Sequence, residues 1–453
     1  MCVLESLYAC TNFLEDAGEL VRVQEKLSPR YEVAAALRYL ERQSGKAVLL
    51  ERVEGYEDVV VLGNLLSNRR RLALLLDVPE DNVVDAYLAR TATPVAPKII
   101  EGDLLAAGLR ETKPDVFVMP VLTHHAADAS PYLTSAVTIA RDPETGARGM
   151  GIHRVQVKER DRLGIFLGSP PLSDFLAKAE ARSQDLEVAI VVGMHPLTWL
   201  AAVAYAPEGV DKFGLAGALR GEPVELVRCA TVDLEVPVEA EYVIEGRVRA
   251  GVREKEGPFG ESNGVYLTYD NPVIQVQRIS CRPHAIYHAL VPFNHEENIL
   301  IGLTWEAQNL RGLQQRFPFV RRMHLEEDDW TRAVIQVDRE QATVPLLEFA
   351  SQVLQELYFV KTLVLVDTDI DIYDSQEVSF ALATRFQPDR DMVVLRDQPA
   401  LALDPSTTAT PEGFRTAKVA MDATVPPGER ERYKKISIPA DVARRVREKL
   451  ATV

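Results

Sequence analysis

Hydrophobic positions near the start of the chain alternate between helical spacing and short strand-like runs. Ser6 to Ala17 and Tyr31 to Arg42 repeat apolar residues every three or four positions, which predicts two amphipathic helices. The second follows Ser28-Pro29, which predicts an N-cap with proline at the first helical position. Apolar runs predict three short strands, at Glu19 to Val23, Ala47 to Glu51 and Val59 to Gly63. This alternation predicts a small α/β domain.

The middle of the chain, from about Asp115 to Leu303, changes to many short strands with turn residues between them. Runs such as VQVKERDRLGIFLG, LEVAIVVG and AEYVIEGRVRAG show the alternation. It predicts a β-rich barrel or closed sheet. After Gly302, helical spacing returns in TWEAQNLRGLQQRF and VPLLEFASQVLQEL, and VKTLVLVDTDIDIYD predicts a buried strand. A C-terminal α/β region is therefore expected.

The overall composition is that of a folded protein that works away from nucleic acids and membranes. The 453 residues are 47% hydrophobic and 26% charged, and the net charge of −16 repels phosphate backbones. The sequence contains no run of about 20 uncharged apolar residues, so no membrane span is predicted. The N-terminal residues lack the basic segment and apolar stretch of a secretion signal, so a cytoplasmic location is expected.

The segment GARGMGIHR, Gly146 to Arg154, is rich in glycine and follows a predicted strand. Glycine-rich loops can bind phosphate through backbone N–H groups, but this segment matches neither the dinucleotide-binding pattern nor the P-loop pattern. A hairpin loop built on Asp142-Pro143 and Gly146 explains the same residues. The sequence leaves both interpretations open.

Three carboxylates alternate in the segment VDTDIDIYD. Asp367, Asp369 and Asp371 share one face if the segment is extended, and three carboxylates on one face can bind a hard cation. The segment lacks the glycine and the terminal glutamate of an EF-hand loop. A strand end on a solvated surface is an equally good interpretation.

The most informative segment for catalysis is REKEGPFGESNGVYLTYDNP, Arg253 to Pro272. Glu256 and Glu261 flank Gly-Pro-Phe-Gly, which is expected to form a sharp turn and to bring the two carboxylates together. Because two neighbouring carboxylates cannot both ionise cheaply, one tends to keep a proton and can act as a general acid. A nearby guanidinium would keep the other ionised. Two solvated glutamates beside a turn are the alternative interpretation.

Together with other segments, EGPFGE resembles the signature of the UbiD family, the reversible decarboxylases of aromatic and α,β-unsaturated acids that use prenylated FMN. The resemblance runs over nearly the whole chain, through DAGELVRV, PVLTHHAADASPYLTSAVTIARDPETGARGMGIHRVQV and VDTDIDIYDSQEVSFALATRFQPDRD. It implies a mixed α/β (α+β) fold in three parts and a homodimer or larger homo-oligomer. The parts are an N-terminal α/β region at 1–112, a split β-barrel that binds the flavin at 113–305, and a C-terminal α/β oligomerisation domain at 306–453.

The resemblance also implies roles for individual residues. The family's catalytic arginine and two acidic residues correspond here to Arg154, Glu256 and Glu261. Glu261 would protonate the carbon that loses CO2, while Arg154 and Glu256 would hold the substrate carboxylate. Candidate cofactor-binding residues are Ile152, His153, Lys212 and Lys418, and candidate specificity residues are Ser262 and His295.

The chain departs from the family at the divalent metal that usually fixes the cofactor phosphate. The family's asparagine, histidine and glutamate ligands are replaced by Gly149, Ser169 and Lys212. Since one lysine ammonium carries the same net charge as a divalent ion paired with a glutamate, we expect Lys212 to bind the phosphate directly and no divalent metal to be needed. The alternative is that Lys212 is a surface residue and the cofactor site has decayed.

Two functions are open from the sequence. The first is reversible non-oxidative decarboxylation of an α,β-unsaturated, aromatic or heteroaromatic acid through a covalent adduct with prenylated FMN, which a flavin prenyltransferase would supply. The second is a UbiD-like protein with a degenerate cofactor site that binds plain FMN or no flavin and acts in binding or assembly. The retained Arg154, Glu256 and Glu261 favour the first function, and the replaced metal ligands favour the second.

Overall fold

A computed structural model gives the fold of the chain and describes residues 5–207, 209–436 and 438–450. The chain divides into two compact units. The first comprises residues 1–309, 325–330 and 403–405, and the second comprises residues 310–324, 331–402 and 406–453. The predicted boundary after residue 305 lies inside one continuous helix, His295–Arg316, and the boundaries at 112 and 305 stay predictions.

The elements of the described residues are numbered in chain order. The helices are α1 (Leu7–Asp16), α2 (Glu32–Ser44), α3 (Arg69–Leu76), α4 (Val83–Thr91), α5 (Leu172–Ala181), α6 (Pro196–Ala202), α7 (Lys212–Arg220), α8 (His295–Arg316), α9 (Leu346–Glu356), α10 (Ser375–Arg385) and α11 (Ala440–Leu450). None of these helices is long and apolar enough to cross a membrane.

The strands of the first unit begin with β1 (Leu20–Val23), β2 (Ala47–Leu50), β3 (Val60–Gly63), β4 (Lys98–Asp103), β5 (Arg110–Thr112), β6 (Tyr132–Leu133), β7 (Val137–Arg141) and β8 (Arg148–Ile152). They continue with β9 (Val155–Glu159), β10 (Arg162–Ile165), β11 (Leu186–Val192), β12 (Glu225–Arg228), β13 (Glu235–Pro237), β14 (Tyr242–Gly260), β15 (Tyr266–Cys281) and β16 (Ile286–Ala289). The remaining strands are β17 (Val320–Glu326), β18 (Asp329–Val337), β19 (Thr362–Asp367), β20 (Met392–Ala400), β21 (Thr408–Thr410) and β22 (Gly413–Asp422).

A four-stranded sheet in the order β1-β2-β3-β16 confirms the predicted N-terminal α/β region. The first three strands match the predicted runs to within one residue at each end. The predicted N-cap of α2 was wrong: the helix begins at Glu32, and Tyr31 precedes it with φ +72° and no side-chain cap. Ser28 instead donates its backbone N–H to the Glu32 carboxylate at 2.8 Å, so the chain makes one more turn before the helix begins.

A nine-stranded antiparallel sheet forms the β-rich middle that the sequence predicts. Its order is β6-β9-β10-β15-β14-β11-β7-β8, and β5 pairs with β15. The buried side chains of Ile190, Ile244 and Ile274 belong to the same apolar cluster as Val48 and Leu50 of the small sheet. The four-stranded and nine-stranded sheets therefore share one core, and closure of the larger sheet into a split barrel stays a prediction.

The glycine-rich segment before Arg154 forms a hairpin. Strands β7 and β8 pair antiparallel, with Arg141 opposite Arg148. The loop between them closes through the Gly146 N–H, which donates to the Asp142 carbonyl at 2.8 Å, and Gly146 has φ +73°. The hairpin interpretation of this segment is confirmed.

The second unit contains a sheet in the order β17-β18-β19-β22-β20. Strand β19 ends at Asp367, so the segment is not extended through Asp371 and the condition for a shared face of three aspartates is not met. Arg385 is buried and donates to Asp367 and Asp369 at 3.0 and 2.7 Å. A guanidinium thus supplies the positive charge there, and the described part of the chain holds no group of three His, Cys, Asp or Glu residues that could bind a metal ion.

Candidate active site

Arg154 lies between β8 and β9, where the backbone is fixed by the sheet. The N–H of the preceding His153 donates to the Ala136 carbonyl at 3.0 Å. The Arg154 guanidinium carbon lies 4.4 Å from the ring centroid of Phe166 and 4.9 Å from that of Phe259. Aromatic faces attract a cation and exclude water from it. The guanidinium is therefore held in a buried aromatic recess.

Glu256 and Glu261 reach this recess from the end of β14. The sharp turn expected at Gly-Pro-Phe-Gly was wrong, because these residues continue β14 through an irregularity in its pairing with β15 between Glu256 and Phe259. Such a bulge accommodates a proline, which cannot donate to the ladder. Gly257 has φ +103°, and a Cβ there would lie 2.5 Å from the Leu267 carbonyl, so the position requires glycine. The chain turns only after Glu261, whose N–H donates to the Val265 carbonyl at 2.8 Å.

The structure brings together the three residues that the sequence proposes as catalytic. Arg154 Nε and Nη2 donate to the two oxygens of Glu256 at 3.1 and 3.0 Å, and Nη1 donates to Glu261 Oε1 at 2.6 Å. Glu256 Oε2 also accepts from Asn271 Nδ2 at 2.9 Å. Three of the five guanidinium N–H groups are thus engaged, which leaves two for another carboxylate.

The two glutamates differ in their surroundings. Glu256 accepts three hydrogen bonds from Arg154 and Asn271, whereas Glu261 accepts one from Arg154. Burial raises the pKa of the Glu261 carboxyl above its usual range, and Arg154 only partly offsets this. Burial also acts to lower the pKa of Arg154, but its hydrogen bonds and the glutamate charges raise it overall. Glu261 is therefore the carboxyl of the pair that is suited to hold and release a proton beside a permanent cation.

A cavity of about 310 Å³ in the first unit opens onto Arg154 and Glu261. Most of its remaining wall is apolar, and the residues that line it are Thr134, Ile152, His153, Arg154, Phe166, Gly168, Ser169, Val203, Phe259, Glu261, Leu290, Pro292, Glu297, Leu300 and Ile301. A cavity with an apolar wall and a few convergent charged groups is the usual form of a small-molecule site.

Three of the proposed cofactor-binding residues lie at or beside this cavity. Ile152 and His153 line it. His153 Nδ1 lies 3.0 Å from the Gly151 carbonyl, and burial lowers its pKa to about 4, so the ring is neutral at pH 7. Lys212 begins α7 and donates through Nζ to the Ala202 carbonyl at 2.8 Å. Its charge contributes to the lowered pKa of His153, which is itself a residue of the cavity lining.

The other proposed residues occupy different surroundings. Lys418 is buried in the second unit, where Nζ donates to the carbonyls of Leu354 and Leu357, both at 2.8 Å. His295 Nε2 lies 2.9 Å from Asp328 Oδ1. Neither His295 nor Ser262 is among the described residues that line the cavity. The roles assigned to Lys418, Ser262 and His295 stay predictions.

The positions expected to have lost metal ligands differ in their surroundings. At Gly149, an added Cβ would lie 2.7 Å from the Phe175 ring and 2.8 Å from the Pro171 ring, so the space of a side chain is already filled. Ser169 lines the cavity, and the carboxylate and imidazole groups among the described lining residues are those of His153, Glu261 and Glu297. The described residues at these positions do not fit a divalent cation site.

Sequence reasoning missed Glu297, a second acidic residue that lines the cavity. It lies in the first turn of α8, which begins nine residues before the predicted helical run at Thr304. The signal was available: Asn294 followed three residues later by Glu297 is the spacing of a capping pair. Its backbone N–H does donate to Asn294 Oδ1 at 3.1 Å.

The fold and the site define a decarboxylase of one family, and the comparisons agree. Residues 11–91, 104–295 and 298–423 match the N-terminal, Rift-related and C-terminal domains of 3-octaprenyl-4-hydroxybenzoate carboxy-lyase, respectively. The chain belongs to the UbiD family and is a UbiD-type carboxy-lyase.

Its relatives include proteins with different substrates in their names. The anhydromevalonate phosphate decarboxylase of Methanothermobacter thermautotrophicus is 34% identical over 430 residues, which cover 94% of this chain and 99% of that protein. The UbiD-class enzyme HmfF of Pelotomaculum thermopropionicum, in complex with FMN, is 37% identical with a TM-score of 0.88, covering 96% of this chain and 98% of that one. The 3,4-dihydroxybenzoic acid decarboxylase of Enterobacter cloacae is 27% identical with a TM-score of 0.89, covering 98% and 100%.

An evolved dimeric form of HmfF has also been solved in complex with prenylated FMN. It is 35% identical to this chain, with a TM-score of 0.84, and covers 97% of this chain and 98% of that one. Relatives of this protein thus bind FMN or prenylated FMN, and one of them has a dimeric form.

Proposed function

We propose that this protein decarboxylates an α,β-unsaturated, aromatic or heteroaromatic carboxylic acid reversibly and without net oxidation, with prenylated FMN as its cofactor. The observation that carries the proposal is the contact of Arg154 with both Glu256 and Glu261 at the wall of an apolar cavity. A protein that acted only in binding or assembly would have no use for a buried cation with two N–H groups left unpaired by the glutamates.

Each residue of the trio has a distinct task in this proposal. Arg154 binds the substrate carboxylate through its remaining N–H groups, and Glu256 fixes the guanidinium through two of the others. The bond between the carboxylate and its neighbouring carbon breaks, CO2 leaves, and the electron pair stays on that carbon. Glu261 then gives its proton to the carbon and is protonated again from solvent. In the reverse direction the same carboxylate removes the proton.

The lining of the cavity fits a flavin. Its volume of about 310 Å³ falls in the range of roughly 300–1,000 Å³ that ligand sites occupy. Phe166, Val203 and Leu290 offer apolar surface to a planar ring system, and Ile152 and His153 would hold its edge. When bound, prenylated FMN would supply the electron sink that decarboxylation needs and that amino-acid side chains do not provide.

Lys212 supports a phosphate site that works without a divalent metal. No ion pair joins Lys212 to a carboxylate in the part of the chain that the structure describes, and burial lowers its pKa to about 8. A buried ammonium without a counter-ion costs free energy, which a phosphate group would offset. The filled space at Gly149 supports the same view, because a metal-binding side chain there would have to displace Phe175 or Pro171.

Lys212→Met is expected to weaken FMN binding by roughly ten- to a hundredfold, as for loss of a charge-assisted hydrogen bond, and to leave riboflavin binding unchanged. The measurement is fluorescence titration of flavin-free protein with FMN and with riboflavin, each with and without EDTA. Lys98→Met, at an exposed lysine paired with Glu225, is the control. If EDTA alone removed the preference of the unaltered protein for FMN, the phosphate would depend on a metal and the role of Lys212 would be wrong.

The proposed function is tested by producing the protein together with a flavin prenyltransferase. The mass and absorbance of the bound small molecule are expected to be those of prenylated FMN, and the loaded protein is expected to release CO2 from at least one acid in a panel of cinnamates, benzoates and furoates. A loaded protein that released CO2 from none of them would count against the proposal. The cytoplasmic location and the homo-oligomer stay predictions.

A further inference from the structure

Glu297 lines the cavity, and one of its two carboxyl oxygens already accepts a hydrogen bond from the protein. Glu297 Oε2 accepts the backbone N–H of Phe293 at 2.8 Å, which fixes the side chain at the start of α8. Within the described residues, no hydrogen bond or ion pair reaches the other oxygen, Oε1. The loop that holds it is itself fixed, because Arg38 Nη2 donates to the Phe293 carbonyl at 2.8 Å. Helix capping accounts for one oxygen of Glu297 and leaves the second directed at no protein group.

The surroundings of Glu297 favour the protonated form of its carboxyl, which can donate a hydrogen bond. Burial raises its pKa to about 7; the Phe293 N–H acts in the opposite direction, and the charge of Glu261 raises it further. The other charged or titratable groups in the lining are Arg154, which lowers the Glu297 pKa, and the neutral His153. Among the described residues that line the cavity, Arg154 is the single permanent cation.

A substrate in the cavity would meet two kinds of polar group. Arg154 can neutralise one carboxylate, and the residues that line the cavity together with Glu297 include the apolar Pro292, Leu300 and Ile301. A neutral hydroxyl or carbonyl oxygen beside Glu297 would meet its unused carboxyl oxygen, whereas a second anionic group there would have no cation of its own once Arg154 holds the first carboxylate.

We propose that Glu297 is a specificity-determining residue that donates a hydrogen bond to a neutral oxygen substituent of the substrate and rejects substrates with a second anionic group beside it. The substrate class is therefore a monocarboxylic acid with an apolar body and a hydroxyl or carbonyl group in addition to the reacting carboxylate. This inference rests on the proposed function, in which Arg154 binds that carboxylate. It also predicts a substrate class for this protein that differs from the phosphorylated acid in the name of one relative, the anhydromevalonate phosphate decarboxylase.

The test compares three sets of acids on the flavin-loaded protein by titration calorimetry. The probes are cinnamate, cinnamates with a hydroxyl at ring position 3 or 4, and cinnamates with a second carboxylate at the same positions. We expect the better hydroxycinnamate to bind about three- to tenfold more tightly than cinnamate, the range of a neutral hydrogen bond. We expect both dicarboxylates to bind at least about tenfold more weakly.

Two variants separate specificity from helix capping. Glu297→Gln can still accept from Phe293 and still donate into the cavity, so it should keep the preference for hydroxyl. Because glutamine cannot ionise, the variant should lose the part of the discrimination against the second carboxylate that grows in the unaltered protein as pH rises above about 7. Glu297→Leu should lose the preference for hydroxyl as well, and its Tm reports the cost of the lost cap. If Glu297 were only a cap, Glu297→Leu would lower the affinity for all the acids by the same factor, and that result would overturn the inference.

Failure of the inference is distinguishable from failure of the proposed function. Arg154→Met should bind all three sets of acids weakly if Arg154 receives the reacting carboxylate. Unchanged affinity in that variant would overturn the proposed function. Equal binding of the three sets by the unaltered protein, or binding of none of them, would overturn the role of Glu297 while leaving the test of Arg154 to the CO2-release assay.

Discussion

Glu261→Gln is expected to lower the decarboxylation rate by about 10²- to 10⁴-fold, the contribution typical of a positioned general acid. Glutamine has nearly the same shape and can still accept the hydrogen bond from Arg154 Nη1, but it has no proton to give to the carbon that loses CO2. Cofactor content should be unchanged, because the substitution removes no contact that the proposal assigns to the flavin. The measurements are CO2 release and bound flavin on the same samples.

The pH dependence of the decarboxylation rate also tests whether Glu261 donates the proton. Because burial raises the pKa of Glu261, the carboxyl stays protonated to a higher pH than an exposed glutamate does. The rate of decarboxylation should fall as pH rises through this pKa, and the fall should be absent from the residual rate of Glu261→Gln. Glu254→Gln, on the same strand but outside the described cavity lining, should behave like the unaltered protein. A full rate in Glu261→Gln would contradict the assignment.

Arg154→Met is expected to destabilise the protein by about 3–5 kcal/mol at pH 8, as for removal of one partner from a buried ion pair. The variant leaves Glu256 and Glu261 buried without their cation. Burial raises the pKa of Glu261, and loss of the guanidinium would remove the charge that opposes this rise. The folded state of the variant would bind more protons than its unfolded state. Its loss of stability relative to the unaltered protein should therefore shrink as pH falls from 8 to 5.

Urea unfolding at several pH values measures this effect. Arg160→Met removes an exposed arginine that pairs with Asp115, and it is expected to change the free energy of unfolding by less than about 1 kcal/mol. If Arg154→Met lost no stability, or if the loss grew as pH fell, the Arg154 guanidinium would not pair with the two carboxylates in the dissolved protein.

The parts of the fold that local pattern determines could be predicted from the sequence. The N-terminal strands were placed to within one residue, because each is a short apolar run bounded by polar residues. The hairpin at Gly146 was among the predicted alternatives, because its residues favour a turn. The meeting of Arg154 with Glu256 and Glu261 followed from the family resemblance and not from spacing, since 102 and 107 residues separate the arginine from the two glutamates.

The predictions that failed concern features that depend on contacts between residues far apart in the sequence. Gly-Pro-Phe-Gly would turn the chain in isolation, but pairing with β15 extends it into a bulged strand. The sequence of the three aspartates that begin at Asp367 resembles a cation site, but Arg385 from the next helix supplies the positive charge there. Glu297 could be found only as a helix cap, because the cavity it faces is built by strands more than a hundred residues earlier as well as by its own helix.

The central claim is that Arg154, Glu256 and Glu261 form a decarboxylation centre in a flavin-loaded protein. The most direct measurement is incorporation of ¹³C-labelled bicarbonate into the decarboxylated product of an acid that the loaded protein has been found to bind. We predict labelled acid from the unaltered protein and its loss in Glu261→Gln at equal cofactor content, because carboxylation of that product needs Glu261 to remove the proton from the reacting carbon. Equal labelling by both proteins, or none by the loaded unaltered protein, would contradict the account.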